Sequence, residues 1–410
     1  MTRDEQILRP LAQAYAAAAA EPRNAQRRAL HTASNDLRML RPVVALDEIP
    51  WQQMDIDGSL TCLCEDDELR GLENWMRREL FKYKHFPADM ILRPYVGVGK
   101  VVHSTGIGIV TKDRTIASGH ATNIISHEYE DQLEDEASLD MIHLPVLTYD
   151  EPATRAAWTK IGGAVGDILP VRITGTSQCG VASWDDISRY RGVTPILIDL
   201  IDRPEYSHAI IEKITQCKES ELAQREALGL LDNDALLLHC TPWLTEDLPK
   251  PTDGAVTRKH IWGRGTAQIF GSVSREMHEE FDLAYMKRTV GTCGLVYYGC
   301  CEPLHNKIDL VEKIPNLRKI GVTPWADIPM AAEIIGGRYV FSSKPNPAAV
   351  AVPVLNEDAL RRELGEILGA CKRSGVRGLD ITLKDISTCC NRPENIFRWE
   401  RIAMEMAENW

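Results

Sequence analysis

The stretch LVYYGCCEPLHNKIDLVEKIPNLRKIGVTPWADIPMAAEIIGGRYVFSS, residues 295–343, alternates short apolar runs with amphipathic segments. Its spacing predicts strand 295–298, helix 304–314, strand 317–322, helix 327–336 and strand 338–342. The rhythm continues with helix 357–373, strand 376–381 and helix 393–407, so four βα units follow one another. Strands separated by helices pair in parallel through right-handed crossovers, because a tight hairpin can join only antiparallel neighbours. A closed (β/α)8 TIM barrel and an open doubly wound sheet both meet that demand. The open dinucleotide-binding sheet carries a Gly-x-Gly-x-x-Gly turn after its first strand, where backbone must approach pyrophosphate. Here Gly97-Val98-Gly99 lacks the third glycine, and the cluster Gly162-Gly163-Ala164-Val165-Gly166 precedes a strand instead of following one. The expected α/β fold is therefore the (β/α)8 TIM barrel.

Outward from that stretch, Asn356 is placed to cap helix 357–373, whose Leu360, Leu364, Ile367, Leu368 and Cys371 form one apolar stripe. Upstream, Val171–Thr174 reads as a short strand followed by a polar loop. A helix opening at Pro204 buries Ile210, Ile211, Ile214 and Cys217. Leu236–Leu238 reads as a fully buried parallel strand that ends at His239 and Cys240. Toward the amino terminus, Ile7, Leu8, Leu11 and Tyr15 share a helical face, and Leu69–Tyr83 is a second amphipathic stretch. Tyr95–Val102 and Ile107–Thr111 have strand composition, and the acidic run Glu128–Glu136 reads as a solvated surface. The expected division is an amino-terminal helical extension over 1–85 and a barrel over 86–410.

The chain has 410 residues, 44% of them apolar, enough to close a large core. A net charge of -12 disfavours nucleic acid and anionic membrane as partners, since both require a basic surface. Eleven cysteines without a charged-then-apolar leader point to reduced thiols and a cytoplasmic location. No apolar run approaches the roughly 18 residues of a membrane span.

In a barrel the loops after the strands build the site. After strand 295–298 comes Gly299-Cys300-Cys301-Glu302-Pro303-Leu304-His305, which gathers thiolate, carboxylate and imidazole, the donors zinc takes. The structural alternative is one buried cysteine with the other residues capping the next helix. His239 and Cys240, at another strand end, reach the pocket as ligand or base, unless the imidazole is satisfied by backbone. Lys344 offers a cation to a substrate carboxylate or phosphate, or is an ordinary surface lysine. Trp325 offers a ring for stacking on a flat molecule, or packs in the core. Asp327 is placed to cap its helix.

From Tyr298 through Ala351 the sequence resembles the uroporphyrinogen decarboxylase superfamily, which includes corrinoid-dependent methyltransferases. Tyr298-Gly299-Cys300 falls on that family's His-x-Cys pair and matches at the cysteine. Ser343-Lys344-Pro345-Asn346-Pro347 falls on its Gly-Asn-x-(Asn or Asp)-Pro element and matches at Asn346 and Pro347. Pro393-Glu394-Asn395 falls on the opening of the family's last helix. Trp184-Asp185-Asp186, Arg191-Gly192 and Arg203-Pro204-Glu205 resemble its middle section. The resemblance covers about residues 165 to 405.

What the resemblance implies is a methyltransferase that moves a methyl group from a methoxylated or methylated small molecule to the corrinoid of a partner protein. Zinc would assist, with Cys300, Cys301 and Asp385 as its ligands and Tyr298, Glu302 and His239 as catalytic groups. Asn346, Trp325 and Lys344 would face the cofactor, and the chain would form a homodimer. Two departures bear on the reaction. The arginine-rich propionate-gripping segment of the decarboxylases has no counterpart here. The family's second zinc cysteine would fall near Leu383–Asp385, where Asp385 or the displaced Cys389 and Cys390 would substitute. The alternatives are a decarboxylase acting on a small carboxylated or tetrapyrrole substrate with Asp380 as its acid, and a non-catalytic relative that binds a tetrapyrrole or a corrinoid protein.

Overall fold

A computed structural model describes residues 1–117, 125–252 and 254–410. Its centre is a seven-stranded sheet in the order β1, β15, β14, β13, β12, β11, β8, every neighbouring pair parallel. These strands are β1 (Val43–Leu46), β8 (Gln178–Val181), β11 (Trp262–Gly265), β12 (Leu295–Tyr298), β13 (Leu317–Val322), β14 (Val340–Ser343) and β15 (Leu379–Leu383). Around them lie β2 (Val96–Gly99) paired in parallel with β7 (Val171–Thr174), and the antiparallel pairs β3 (Val101–Ser104) with β6 (Leu147–Asp150) and β4 (Asp113–Ala117) with β5 (Ile125–Tyr129). The α/β expectation stands as a parallel sheet with helices. One margin of the sheet is met where Asp89 N donates to Val44 O of β1 at 3.1 Å; β2, a few residues on, pairs with β7, the strand before β8 in the chain, as a separate two-stranded sheet.

Alternation along each strand gives the sheet two unlike faces. Val44, Leu46, Val296, Ile320, Phe341, Leu379, Ile381 and Leu383 point outward into the main hydrophobic core. That core is closed by α10 (Ile308–Val311), α11 (Ile328–Ile335), α12 (Glu357–Arg373) and α13 (Glu394–Glu408). The inner face carries Lys319, Ser342, Asp380 and Thr382, all buried. Asn356 caps α12 by accepting from Ala359 N at 3.0 Å, and Asp327 caps α11 by accepting from Met330 N at 2.9 Å. Asn395 at the start of α13 donates to the carbonyls of Val350 and Val352, tying the last helix to the loop after β14.

Several expected elements differ. Residues 1–85 hold α1 (Arg3–Ala19), α2 (Pro22–Asn35) and α3 (Asp67–His85), but also β1, which pairs with β15, so this segment contributes a sheet strand as well as helices. The predicted helix 304–314 contracts to α10 because its first turn is drawn toward the neighbouring loop, where Lys307 Nζ donates to the carbonyls of Phe270 and Val273 at 2.9 Å. Residues 107–111 form no strand. Leu236–Leu238 is not a parallel strand. It enters a hairpin in which β9 (Leu237–Leu238) pairs antiparallel with β10 (Thr241–Pro242). No described helix is long and apolar enough to cross a membrane.

The amino-terminal helices are locked to the sheet around Asp89. Its carboxylate takes a bidentate bond from Arg41 at 2.6 and 2.8 Å and a bond from Val44 N at 2.9 Å. His31 of α2 lies fully buried with Nε2 2.8 Å from Asp89 O. Burial pulls its pKa down to about 4, so the unfolded chain binds the extra proton between there and the ordinary value of 6.5. Stability is therefore expected to hold above pH 6.5 and to fall by about 3 kcal/mol toward pH 4 through this residue. Urea midpoints across that range should show the slope, and His31→Gln should flatten it.

Candidate metal and thiol site

The β9–β10 hairpin stands against the inner face of the sheet and carries His239 and Cys240 in its turn. Both sit in the left-handed region, with φ of 26° and 69°. Side chains adopt that region at a cost of about 1–3 kcal/mol each, so surrounding bonds must hold the turn. Cys240 N donates to Asp47 Oδ2 at 2.8 Å, and Lys344 Nζ donates to Cys240 O at 2.6 Å. Lys319 Nζ donates to Pro242 O at 2.6 Å and to Thr241 Oγ1 at 3.0 Å.

Both lysines are buried against one carboxylate. Asp380 lies 3.2 Å from Lys319 and 3.6 Å from Lys344, and accepts from Ser342 at 2.8 Å, Thr382 at 3.0 Å and Thr241 at 3.2 Å. Burial alone would raise its pKa, but Lys319, Lys344 and the hydroxyls outweigh that and hold it below the usual carboxylate range. Burial lowers Lys319 to about 8. Asp380 is thus an ionised hub with its oxygens already engaged, which removes it as the acid of a decarboxylation. Lys344 is neither a surface lysine nor free for a substrate anion, because Cys240 O and Ser342 Oγ occupy it at 2.6 and 2.7 Å.

Cys300 meets the hairpin from β12. Gly299 turns the chain with φ of 112°, and a Cβ there would stand 2.9 Å from Leu304 Cδ1, so glycine is required. Glu302 then clamps the loop: it accepts from Cys300 N at 3.0 Å, Thr266 Oγ1 at 2.8 Å and Ala267 N at 3.2 Å. Its carboxylate is consumed in joining the loops after β11 and β12, so Glu302 braces the site from behind and does not face the sulfurs. The clamp presents Cys300 Sγ to the hairpin tip, 3.8 Å from His239 Nε2. One donor atom each from His239, Cys240 and Cys300 lie within 4.8 Å of one another.

Charges converge on these sulfurs. Lys384, the residue after β15, places Nζ 3.3 Å from both Cys300 and Cys301 and 2.7 Å from Asp385 Oδ2. Cys301 Sγ is 3.7 Å from Cys300 Sγ and 3.6 Å from Asp385 Oδ2. The thiols of Cys240 and Cys301, then His239 and Lys384, stabilise a Cys300 thiolate against the opposing effect of burial and hold it well below the ordinary thiol range. Cys240 and Cys301, which donate to it, are raised. Glu48, just beyond β1, accepts from Asp385 N at 3.0 Å and lies 3.6 Å from His239 Nδ1. Burial and the adjacent Asp385 push it up to about 7. A cavity of about 380 Å³ opens beside Glu48 and Asp385.

Other expected residues lie elsewhere. Tyr298 points outward into the core, where its hydroxyl donates to Asp282 Oδ2 at 2.6 Å and lies 2.7 Å from His278 Nε2. Tyr297 is the tyrosine that turns inward, in edge contact with Trp243. Asn346 caps the short turn after it by accepting from Ala348 N at 3.0 Å. Trp325, in the loop after β13, is 67% exposed and so is not a core residue. Cys389 donates its backbone N–H and its thiol to Gln53 Oε1, and the buried Nδ1 of His305 has no partner among the described residues and stands apart from the three-donor group. Sequence reading offered His239 and Cys240 as ligand or base but set zinc on Cys300, Cys301 and Asp385, and it missed Glu48 and Lys384 as the surroundings. The one available sign was their position directly after apolar segments.

No model of a known protein family matches the chain, and no curated protein does. Among solved structures, the chain is similar to a methyltransferase from Methanosarcina mazei, with a TM-score of 0.48 and 12% identity over 92% of this chain and 98% of that one.

Removing the shared carboxylate strands both buried ammonium groups. Asp380→Asn is expected to lower stability by about 3–5 kcal/mol, read as an earlier urea midpoint with an unchanged slope.

Proposed function

We propose that the chain is a methyltransferase of uroporphyrinogen decarboxylase-like type, transferring a methyl group from a methoxylated or methylated small molecule to the corrinoid of a partner protein, with zinc at His239, Cys240 and Cys300. The observation that carries this reading is the meeting of an imidazole and a thiol from the β9–β10 turn with the Cys300 thiol just beyond the carboxyl end of the parallel strand β12. In this reading residues 89–99 act as the missing stave of a barrel, supported by the bond from Asp89 to β1 and by the pairing of β2 with β7, the strand before β8 in the chain.

The donor set fits zinc. It is borderline-soft, it takes thiolate and imidazole, and three protein ligands leave a fourth position for substrate. When bound, zinc supplies Lewis-acid polarisation of the atom that carries the methyl group. The chain does the rest. Lys384 balances the sulfur charge from 3.3 Å, and Glu48 at Nδ1 turns the His239 ring so that Nε2 faces Cys300. Cys301 and Asp385 stand beside the three-donor group, lining the approach. The exposed ring of Trp325 offers a stacking surface to the flat corrin of the partner as it docks over the strand ends.

Metal analysis of the purified protein should find about one zinc per chain. Cys300→Ser and Cys240→Ser should lose it and Cys301→Ser should keep it. Glu48→Gln should weaken zinc affinity by about 10–100-fold. With cob(I)alamin and a methoxylated donor, the absorbance of methylcobalamin should grow in. A wild-type protein that takes up no zinc overturns the metal site, and zinc-loaded protein that methylates no corrinoid across a panel of donors overturns the reaction.

A further inference from the structure

Buried polar atoms in folded proteins find partners, so several unpartnered ones on a single face call for a ligand. Three lie together on neighbouring strands: Gln178 Oε1 on β8, Arg264 Nε on β11 and the Tyr297 hydroxyl on β12. The register sets Arg264 directly between Gly180 and Tyr297, and Trp262 beside Gln178, so alternation turns all of them to the inner face. Tyr297 is 1% exposed, yet its hydroxyl has no partner among the described residues.

Arg264 differs from the other cations of that face. Lys319 and Lys344 share Asp380 at 3.2 and 3.6 Å, and Lys384 meets Asp385 at 2.7 Å. Arg264 has no carboxylate, hydroxyl or carbonyl partner among the described residues, in a chain whose net charge is -12. Beside it stands room: Gly180 is exposed, and a Cβ built there would meet nothing within 4 Å. The Tyr297 hydroxyl reaches toward the sulfur loop: a Cβ built at Gly321 would stand 3.0 Å from it and 3.2 Å from the Gly299 carbonyl carbon, next to Cys300.

We propose that Arg264 and the Tyr297 hydroxyl, on neighbouring strands of the inner face, bind a carboxylate group of the methyl donor, which makes the substrate an anionic small molecule. The proposal takes the inner face beside the sulfur cluster as the donor's binding place and to that extent rests on the methyl-transfer reading. A guanidinium presents two parallel N–H donors that match a planar carboxylate, and the phenol adds a third to the same group. The Gln178 amide, which can present either its oxygen or its nitrogen by rotation, completes the rim.

Titration calorimetry on the full zinc-loaded chain tests this with methoxyacetate, its neutral counterpart methoxyacetamide and inorganic phosphate as probes. Methoxyacetate is expected to bind at least about tenfold more tightly than the amide. Arg264→Gln should abolish that preference, Arg264→Lys should keep part of it, and Tyr297→Phe should weaken binding a few-fold. Circular dichroism confirms that each variant is folded, and Arg264→Lys gives a second reading should Arg264→Gln fail to fold. Cys300→Ser, which loses the metal, should still prefer the carboxylate. Equal binding by wild type and Arg264→Gln, tighter binding of phosphate than of methoxyacetate, or no binding of any probe overturns the proposal. Carboxylate bound through Arg264 with no methyl transferred would sink only the methyl-transfer reading. Methyl transfer that proceeds undiminished in Arg264→Gln would sink only the carboxylate site.

Discussion

The architecture of the inner face depends on a single carboxylate between two ammonium groups. Asp380 is buried with Lys319 and Lys344 on either side, and each lysine also donates to the hairpin that carries His239 and Cys240. Two ammonium groups could not share so dry a space without a compensating charge, and a left-handed turn at two non-glycine residues could not persist without such anchors. The hub thus turns electrostatic compensation into the position of a sulfur and an imidazole. Glu302 does the corresponding work from the other side by tethering the backbone of Cys300.

The two faces of the sheet divide the labour. The outward face is apolar and packs against α10 to α13, so it supplies cohesion through burial, about 1.5–3 kcal/mol for each fully buried aliphatic side chain. The inward face is polar and almost fully paired. Unpaired atoms there, such as those of Arg264 and Tyr297, stand out because their neighbours are satisfied.

Much of this was legible in the residues. Strands 295–298 and 317–322 and helix 357–373 fall where the spacing put them, because their outward residues meet one apolar layer and the helix has an unambiguous cap at Asn356. The hairpin was not legible. Leu236 and Leu237 are apolar in a segment packed within the protein, which is also how a parallel strand reads, and His239-Cys240 carries none of the glycine or asparagine that marks a tight turn. Tyr297 and Tyr298 are both buried, and composition cannot say which of two adjacent tyrosines faces the site; only the pleat decides. Lys344 read as a cation for a substrate anion or as a surface lysine because its counter-charge, Asp380, lies far along the chain and its burial depends on a fold-level pairing. Cys300 was visible because thiol, carboxylate and imidazole crowd into one loop.

The sulfur cluster draws on four widely separated stretches of chain: Glu48, the 239–240 turn, the 300–302 loop and Lys384 with Asp385. No fragment released early from a ribosome could assemble it, since β15 must be threaded beside β1 before Lys384 arrives. Three thiols would then wait as ordinary cysteines through most of synthesis and acquire their shared charge in the last folding step. Before β15 pairs with β1, a half-made chain carries these thiols without the Lys384 and Asp385 charges that stand beside them in the fold.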